Sequence, residues 1–336
     1  MERYSRQILF SPIGEEGQKK IRSKHVLIVG VGALGSATAE LLTRAGVGKL
    51  TIVDRDYVDW TNLQRQTLYC EQDAESGLPK AIAAKQRLEA INHDVEIRAF
   101  VMDADDEPFV SIFEQGVDVV IDGTDNFETR FLINDLAQKY NVPWIYGACV
   151  GSYGLSFAMI PGKTPCFRCL VHHLPSYHMT CDNIGIIAPT VQMVASYQTA
   201  EALKILVEDE RAIRDSLVVF DLWKNEHRFL KVNKLKNKQC PSCGEHRSYP
   251  SLQEPKAKMA VLCGRETVQI RHPHSFDLKE MAQQIKASGQ KVQYNDYLMI
   301  TELEGHRTVL FADGRMLIHG TKDLMDARSL YQKYFA

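Results

Sequence analysis

The chemistry this sequence could perform is concentrated in a few short stretches. Gly30, Gly32 and Gly35 form G-x-G-x-x-G, a pattern that lets backbone approach a phosphate and offers it the free N–H groups of a helix start. Asp54 follows about twenty residues after the last glycine, the separation at which a carboxylate meets a ribose hydroxyl pair. A dinucleotide would account for both features. It would not account for DRDYVDWTNLQRQ, residues 54 to 66, which sets Asn62, Gln64 and Arg65 in a loop just past the strand that Asp54 closes. A triphosphate undergoing cleavage needs cations to hold migrating charge, whereas backbone amides suffice for a dinucleotide pyrophosphate. Lys80 points the same way: it follows Pro79 at a helix start, where the macrodipole disfavours a cation unless an anion binds beside it. A solvated lysine at a helix end is the plainer alternative. Asp125, in DGTDN after the strand VDVVID, could hold Mg²⁺ bridging phosphates, cap the next helix, or do both.

The cysteines divide into a set and a solitary candidate. Cys166 and Cys169 lie in PCFRC, Cys240 and Cys243 in CPSC, and together they could close a tetrahedral Zn²⁺ site with every position filled by thiolate, which is a structural arrangement. The pairs are roughly seventy residues apart, longer than in small zinc modules, so two redox couples are the rival; one shared ion is simpler. Cys181, in MTCDNIGIIAP, stands in an irregular stretch and could act as a nucleophile toward an activated carboxyl group if its thiolate were stabilised. A free thiol with no catalytic duty is the alternative. Cys149 falls within an apolar strand and is expected in the core, and Cys70 and Cys263 carry no assignment.

These residues need elements to position them. HVLIVG, residues 25 to 30, is expected to be a buried parallel strand, SATAELLTRAG a helix and KLTIVD the next strand, a βαβ unit. EIRAF, VDVVID and VPWIYGACV continue as strands, separated by helices around residues 79 to 91 and 126 to 140, the second capped by Asp125. Such alternation predicts an α/β, Rossmann-like, doubly wound and mainly parallel sheet with ligands beyond the carboxyl ends of its strands. After residue 150 the alternation lapses; LSFAMIPG and SLVVFDL are later strands on either side of a helix from Val191 to Val207. Polar, proline-containing residues 246 to 257 make a linker between a domain at 1 to 245 and a small α+β domain at 258 to 336, whose strands RTVLF and RMLIHG turn at Asp313 and Gly314.

Composition narrows the partners. A net charge of −2 provides no general field for nucleic acid or an anionic membrane surface, and no apolar run is long enough to span a bilayer. With no export-like start, a cytoplasmic protein is expected, and its eight cysteines favour metal or thiol chemistry over disulfides.

RYSRQI, GVGALGS, DRDYVDWTNLQRQ, the Pro79–Lys80 pair, GTDN and the two cysteine pairs, in that order, resemble the MoeB/ThiF family, bacterial relatives of ubiquitin-activating (E1) enzymes, over about residues 1 to 245. The resemblance implies ATP-dependent adenylylation of the C-terminal glycine carboxylate of a ubiquitin-like sulfur-carrier protein ending in Gly-Gly. Pyrophosphate would be released, and a sulfur donor protein would act later, in thiamine or molybdopterin synthesis. It assigns Gly32 and Gly35 to the phosphate turn, Asp54 to the ribose, Asn62, Arg65 and Lys80 to phosphates, Asp125 to Mg²⁺ and the four paired cysteines to Zn²⁺. Arg6 matches an arginine that, in the family, reaches the active site of the neighbouring subunit, which implies a homodimer. Cys181 matches a cysteine that links covalently to the carrier in some members. One departure is a slightly longer stretch between Arg65 and Lys80, and the motifs are shared by both carrier branches. The competing classes are an NAD-dependent oxidoreductase, an ATP-dependent tRNA-modifying enzyme on the same fold, and a non-catalytic zinc scaffold.

Overall fold

The structure, a computed structural model, describes residues 2–104, 107–173, 184–253, 259–262, 266–272 and 274–335. The run HVLIV forms β1 (His25–Val29), every residue of which is buried, as befits a strand covered on both faces. It pairs in parallel with β2 (Lys49–Asp54) on one side and β4 (Val119–Asp122) on the other. β3 (Glu96–Val101) and β5 (Trp144–Val150) extend this parallel block outward, and the order β3-β2-β1-β4-β5 places the topological switch between β1 and β4. The ligand crevice of a doubly wound sheet opens there.

Beyond β5 the sheet changes character. β6 (Tyr153–Met159), β7 (Ser216–Asp221) and β8 (Glu226–Lys231) all add antiparallel. For β6 the cause lies in the connection: Val150 pairs directly with Tyr153, leaving two residues to turn the chain, and Gly151 supplies the positive φ, +59°, that a tight hairpin turn needs. A parallel crossover would need a dozen or more residues.

The helix Ala33–Ala45 follows β1 and ends at Gly46 in the left-handed conformation. The helix Lys80–Ile91 precedes β3, and Phe127–Tyr140 precedes β5. The cap of the latter is Asn126, whose side chain accepts from the Thr129 N–H at 2.9 Å. The sequence alone points to Asp125 for that role; the structure gives it to the next residue. The long helix expected from Val191 begins at Ala188, with Pro189 in its first turn, where a missing N–H does no harm. None of the described helices is long and apolar enough to cross a membrane.

The chain divides into two compact units. The first comprises residues 1–74 and 80–254, the second residues 75–79 and 255–336. The second unit contains a six-stranded antiparallel sheet, β9 (Met259–Val261), β10 (Thr267–Arg271), β11 (Val292–Tyr294), β12 (Leu298–Leu303), β13 (His306–Phe311) and β14 (Arg315–His319), in the order β11-β12-β13-β14-β10-β9. Its helices Leu278–Ala287 and Leu324–Tyr334 pack on that sheet through Leu278, Ile285 and Leu330. Residues 250–252 of the expected linker form a 3-10 turn held within the first unit, where the Ser251 N–H donates to Asp135 at 2.9 Å.

Candidate active site

The glycine turn is built by close backbone approach. A Cβ on Gly35 would lie 1.8 Å from the Gly30 carbonyl oxygen, and one on Gly123 would lie 2.1 Å from the same atom. These glycines let the ends of β1 and β4 and the start of the Ala33–Ala45 helix meet. Gly32 differs: a Cβ there would find only the Gln66 amide nitrogen within 4 Å. Gly35 therefore serves packing, while Gly32 is the uncrowded N-cap of a helix with no side-chain cap, and the first N–H groups of a helix lack intrahelical partners, the setting an anion needs.

The acidic end of β2 braces this turn. Asp54 Oδ2 accepts from the Val31 N–H at 2.7 Å and Oδ1 accepts from the Asp56 N–H at 2.7 Å. Burial pushes the Asp54 carboxyl above its ordinary range, with Lys80 opposing. Lys80, only 4% exposed, sits 3.3 Å from Asp56 through its ammonium group, while its backbone N–H donates to the Asp56 carbonyl at 2.9 Å. The Tyr69 hydroxyl donates to the Val31 carbonyl at 2.6 Å and lies 3.3 Å from the Lys80 carbonyl. Glycine turn, carboxylate and lysine are thus one connected assembly.

On the other side of the switch point, Asp122 is fully buried and accepts from Arg130 Nε at 3.0 Å and from the Thr124 backbone N–H at 2.9 Å. The Arg130 guanidinium also donates to the Thr124 carbonyl at 2.6 Å and lies over the Phe127 and Tyr146 rings. Burial pushes Asp122 up in pKa, with Arg130 and Thr124 opposing. This ion pair holds the DGTDN loop and presents Asp125 as an exposed residue beyond β4.

Arg65 and Asn62 make their hydrogen bonds within their own loop. Arg65 is half-buried and donates back to the Thr61 carbonyl at 2.8 Å, and the Asn62 side chain accepts from the Asp59 N–H at 3.1 Å, capping its own turn. Arg6 is exposed on the short helix Ser5–Ile8. Cys181 and Cys263 lie outside the described residues. Cys149, expected in the core, is half-buried near the end of β5 and packs against the buried cluster of Leu34, Val191, Val194, Val218 and Phe220.

The four paired cysteines converge. All are buried, and their sulfurs lie within 4.8 Å of one another. The separations Cys166–Cys240 and Cys169–Cys243 are both 3.6 Å, and Cys166–Cys169 is 3.9 Å. Tetrahedral Zn–S bonds of about 2.3 Å require S–S distances of roughly 3.8 Å, so the set could hold such an ion. Phe167, between the first two cysteines, packs edge-on against Trp144 at 5.5 Å. Arg168 reaches Ser242 at 3.1 Å, Ser251 at 2.9 Å and the buried Asp135 at 3.4 Å. Ser242 donates to Asp135 as well.

Comparison with known proteins assigns this architecture. The model of the ThiF family matches residues 4–242. The chain belongs to the ThiF family. Among its relatives, a sulfur carrier protein ThiS adenylyltransferase of Bacillus subtilis is 49% identical over 99% of this chain and 98% of its own length. A molybdopterin-synthase adenylyltransferase of Salmonella typhimurium is 35% identical over 73% of this chain and 97% of its own length. The crystal structure of E. coli MccB with ATP shares the fold, with a TM-score of 0.62 at 22% identity, covering 73% of this chain and 75% of that one.

Within this ThiF chain, sequence reasoning missed Asp56, Gln66, Tyr69, and the Asp122–Arg130 pair. Gln66 is 4% exposed, and its Oε1 has no hydrogen-bond partner among the described residues. The alternation of acids in DRD and of amides in QRQ was a weak local signal for Asp56 and Gln66. Nothing local links Asp122 to Arg130.

Proposed function

We propose that this chain adenylylates the C-terminal glycine carboxylate of a ubiquitin-like sulfur-carrier protein. The carrier carboxylate attacks the α-phosphorus of ATP, a new C–O–P bond forms, and the bond to the β-phosphate oxygen breaks to release pyrophosphate. The product is an acyl-adenylate that a sulfur donor protein then uses. No base is required, because a carboxylate is already ionised at neutral pH. The observation that supports this reading is the Tyr69 hydroxyl, which bonds the Val31 carbonyl of the glycine turn and the backbone carbonyl of Lys80 and so ties that turn to the start of the lysine's helix.

In this mechanism Gly32 accommodates phosphate, Asp54 has lone pairs left to accept from ribose hydroxyls, and Lys80 exchanges part of its pairing with Asp56 for phosphate. Arg65 and Asn62 turn from their own loop to the phosphates. Asp125 would hold Mg²⁺, whose preferred donors are carboxylate oxygens and which supplies positive charge shared among phosphate oxygens. Zn²⁺ would be held by Cys166, Cys169, Cys240 and Cys243 and supplies a structural cross-link. Cys181 is the proposed covalent attachment point for the carrier. The chain acts as a homodimer in which Arg6 enters the partner's site; Leu9 and Phe10, 73% and 60% exposed just after the Arg6 helix, offer apolar surface for that interface. A ThiS-type carrier is favoured because the relative named for ThiS is matched end to end, second unit included.

Lys80→Ala or Asp125→Ala is expected to lower carrier-dependent ATP–pyrophosphate exchange by about 10²- to 10³-fold, as when one preorganised charge-stabilising group is removed, while leaving circular dichroism unchanged. Full exchange in either variant overturns the assignment. Mixing inactive Arg6→Ala with inactive Lys80→Ala is expected to restore exchange, since a mixed dimer retains one intact site. An oxidoreductase would leave Lys80, Asp56 and the cysteine cluster without employment.

A further inference from the structure

The second unit carries no motif tied to the reaction, yet it contains five residues, 75–79, that interrupt the first unit immediately before Lys80. These residues are held at the edge of the second unit's sheet. The Gln293 amide on β11 donates to the Glu75 carbonyl at 2.6 Å. The Asn295 amide, in the turn between β11 and β12, donates to the Ser76 carbonyl at 3.0 Å and reaches the Gly77 carbonyl at 3.4 Å. Gly77 is buried with φ of +59°, and a Cβ there would come within 3.0 Å of Ile300 Cδ1. The left-handed backbone and the close approach to the strand both favour glycine there.

The end of this strap is the start of the catalytic helix. Pro79 is its last residue, and Lys80 is the first residue of Lys80–Ile91. One peptide bond therefore connects a segment clamped in the second unit to the lysine assigned to the phosphates. We propose that Gln293 and Asn295 are positioning residues: by fixing the 75–79 strap they fix the entry of the chain into Lys80, and hence the fraction of molecules in which the lysine is set to receive ATP. The proposal rests on the Lys80 assignment above. It also gives the long stretch between Arg65 and Lys80 a purpose, since that length supplies the strap.

Asn295 permits a selective test. Its Oδ1 accepts from the Tyr297 and Leu298 N–H groups at 2.9 and 3.0 Å and so builds the turn, while only its Nδ2 serves the strap. Asn295→Asp keeps the turn acceptor and removes the strap donor; Gln293→Glu removes the strap donor on β11. The full-length double variant is assayed by ATP–pyrophosphate exchange with a ThiS-type carrier, alongside Lys80→Ala. If ATP selects the competent population, the KM for ATP rises by about five- to tenfold, and kcat at saturating ATP stays within about twofold of the parent. In ATP-free protein, hydrogen exchange at the Lys80 amide speeds up while amides of β1 and β4 do not change. A merely structural defect would instead lower kcat at unchanged KM, and that result overturns the proposal, as does an unchanged KM with an unchanged kcat. Should Lys80→Ala retain full exchange, the Lys80 assignment itself fails. Should Lys80→Ala lose exchange while the double variant keeps the parental KM, only the strap proposal fails.

Discussion

The nucleotide edge and the cysteine cluster are built by opposite means. At the edge, glycines bring backbone together, a Cβ on Gly32 would meet only Gln66 within 4 Å among the described residues, and the Lys80 ammonium lies 3.3 Å from the Asp56 carboxylate. At the cluster, four buried sulfurs face one another, and Arg168, Ser242, Ser251 and Asp135 complete one another's hydrogen bonds around them. A binding site has to keep partners in reserve for its ligand. A structural site gains by leaving none. The contrast predicts that substitutions at the cluster act on folding and those at the edge act on ATP.

The sharpest way to break this contrast is to open the cluster. Cys240→Ala, or stripping metal with a chelator, is expected to lower the thermal midpoint by roughly 10 °C or more, since a structural zinc site contributes folding free energy directly. Elemental analysis of the parent should give one zinc per chain, and a metal-free parent of unchanged stability would end the structural reading. Asp122→Asn comes next. It removes the countercharge of a buried arginine and is expected to cost about 3 to 5 kcal/mol in denaturant unfolding, which would show that part of the edge is built like the cluster. The smallest effects come from the glycines. Gly35→Ala forces a Cβ against the Gly30 carbonyl and should destabilise by roughly 1 to 3 kcal/mol, whereas Gly32→Ala should leave stability within about 1 kcal/mol and raise the KM for ATP. Equal stability losses in the two variants would erase the distinction drawn between them.

Much of the parallel block could be anticipated, because buried strands such as HVLIV and KLTIVD are short, mostly apolar and β-branched runs ending at a glycine turn or an acid. The switch to antiparallel pairing at β6 could not, since it depends on two residues, Gly151 and Ser152, closing a hairpin rather than opening a crossover. Asp125 and Asn126 illustrate a finer limit: either could cap a helix, and the backbone at Asn126, extended at φ −128° and ψ 152°, decides the matter. Residues 75–79 lie far from the C-terminal domain in sequence, and no local pattern marks a strap that belongs to a distant sheet.

Residue types and short spacings by themselves determined which chemistries this chain could undertake: anion binding at a glycine turn, charge stabilisation by lysine and arginine, thiolate coordination by two spaced pairs. Those features are local, written in neighbours along the chain. Tertiary structure alone decided that Cys166 meets Cys240 across 74 residues, that Asp122 takes Arg130 as its partner, and that Lys80 turns inward to Asp56. Contacts of that kind arise only after strand order and packing have been chosen, because burial compels each polar group to find whichever partner the fold brings within reach.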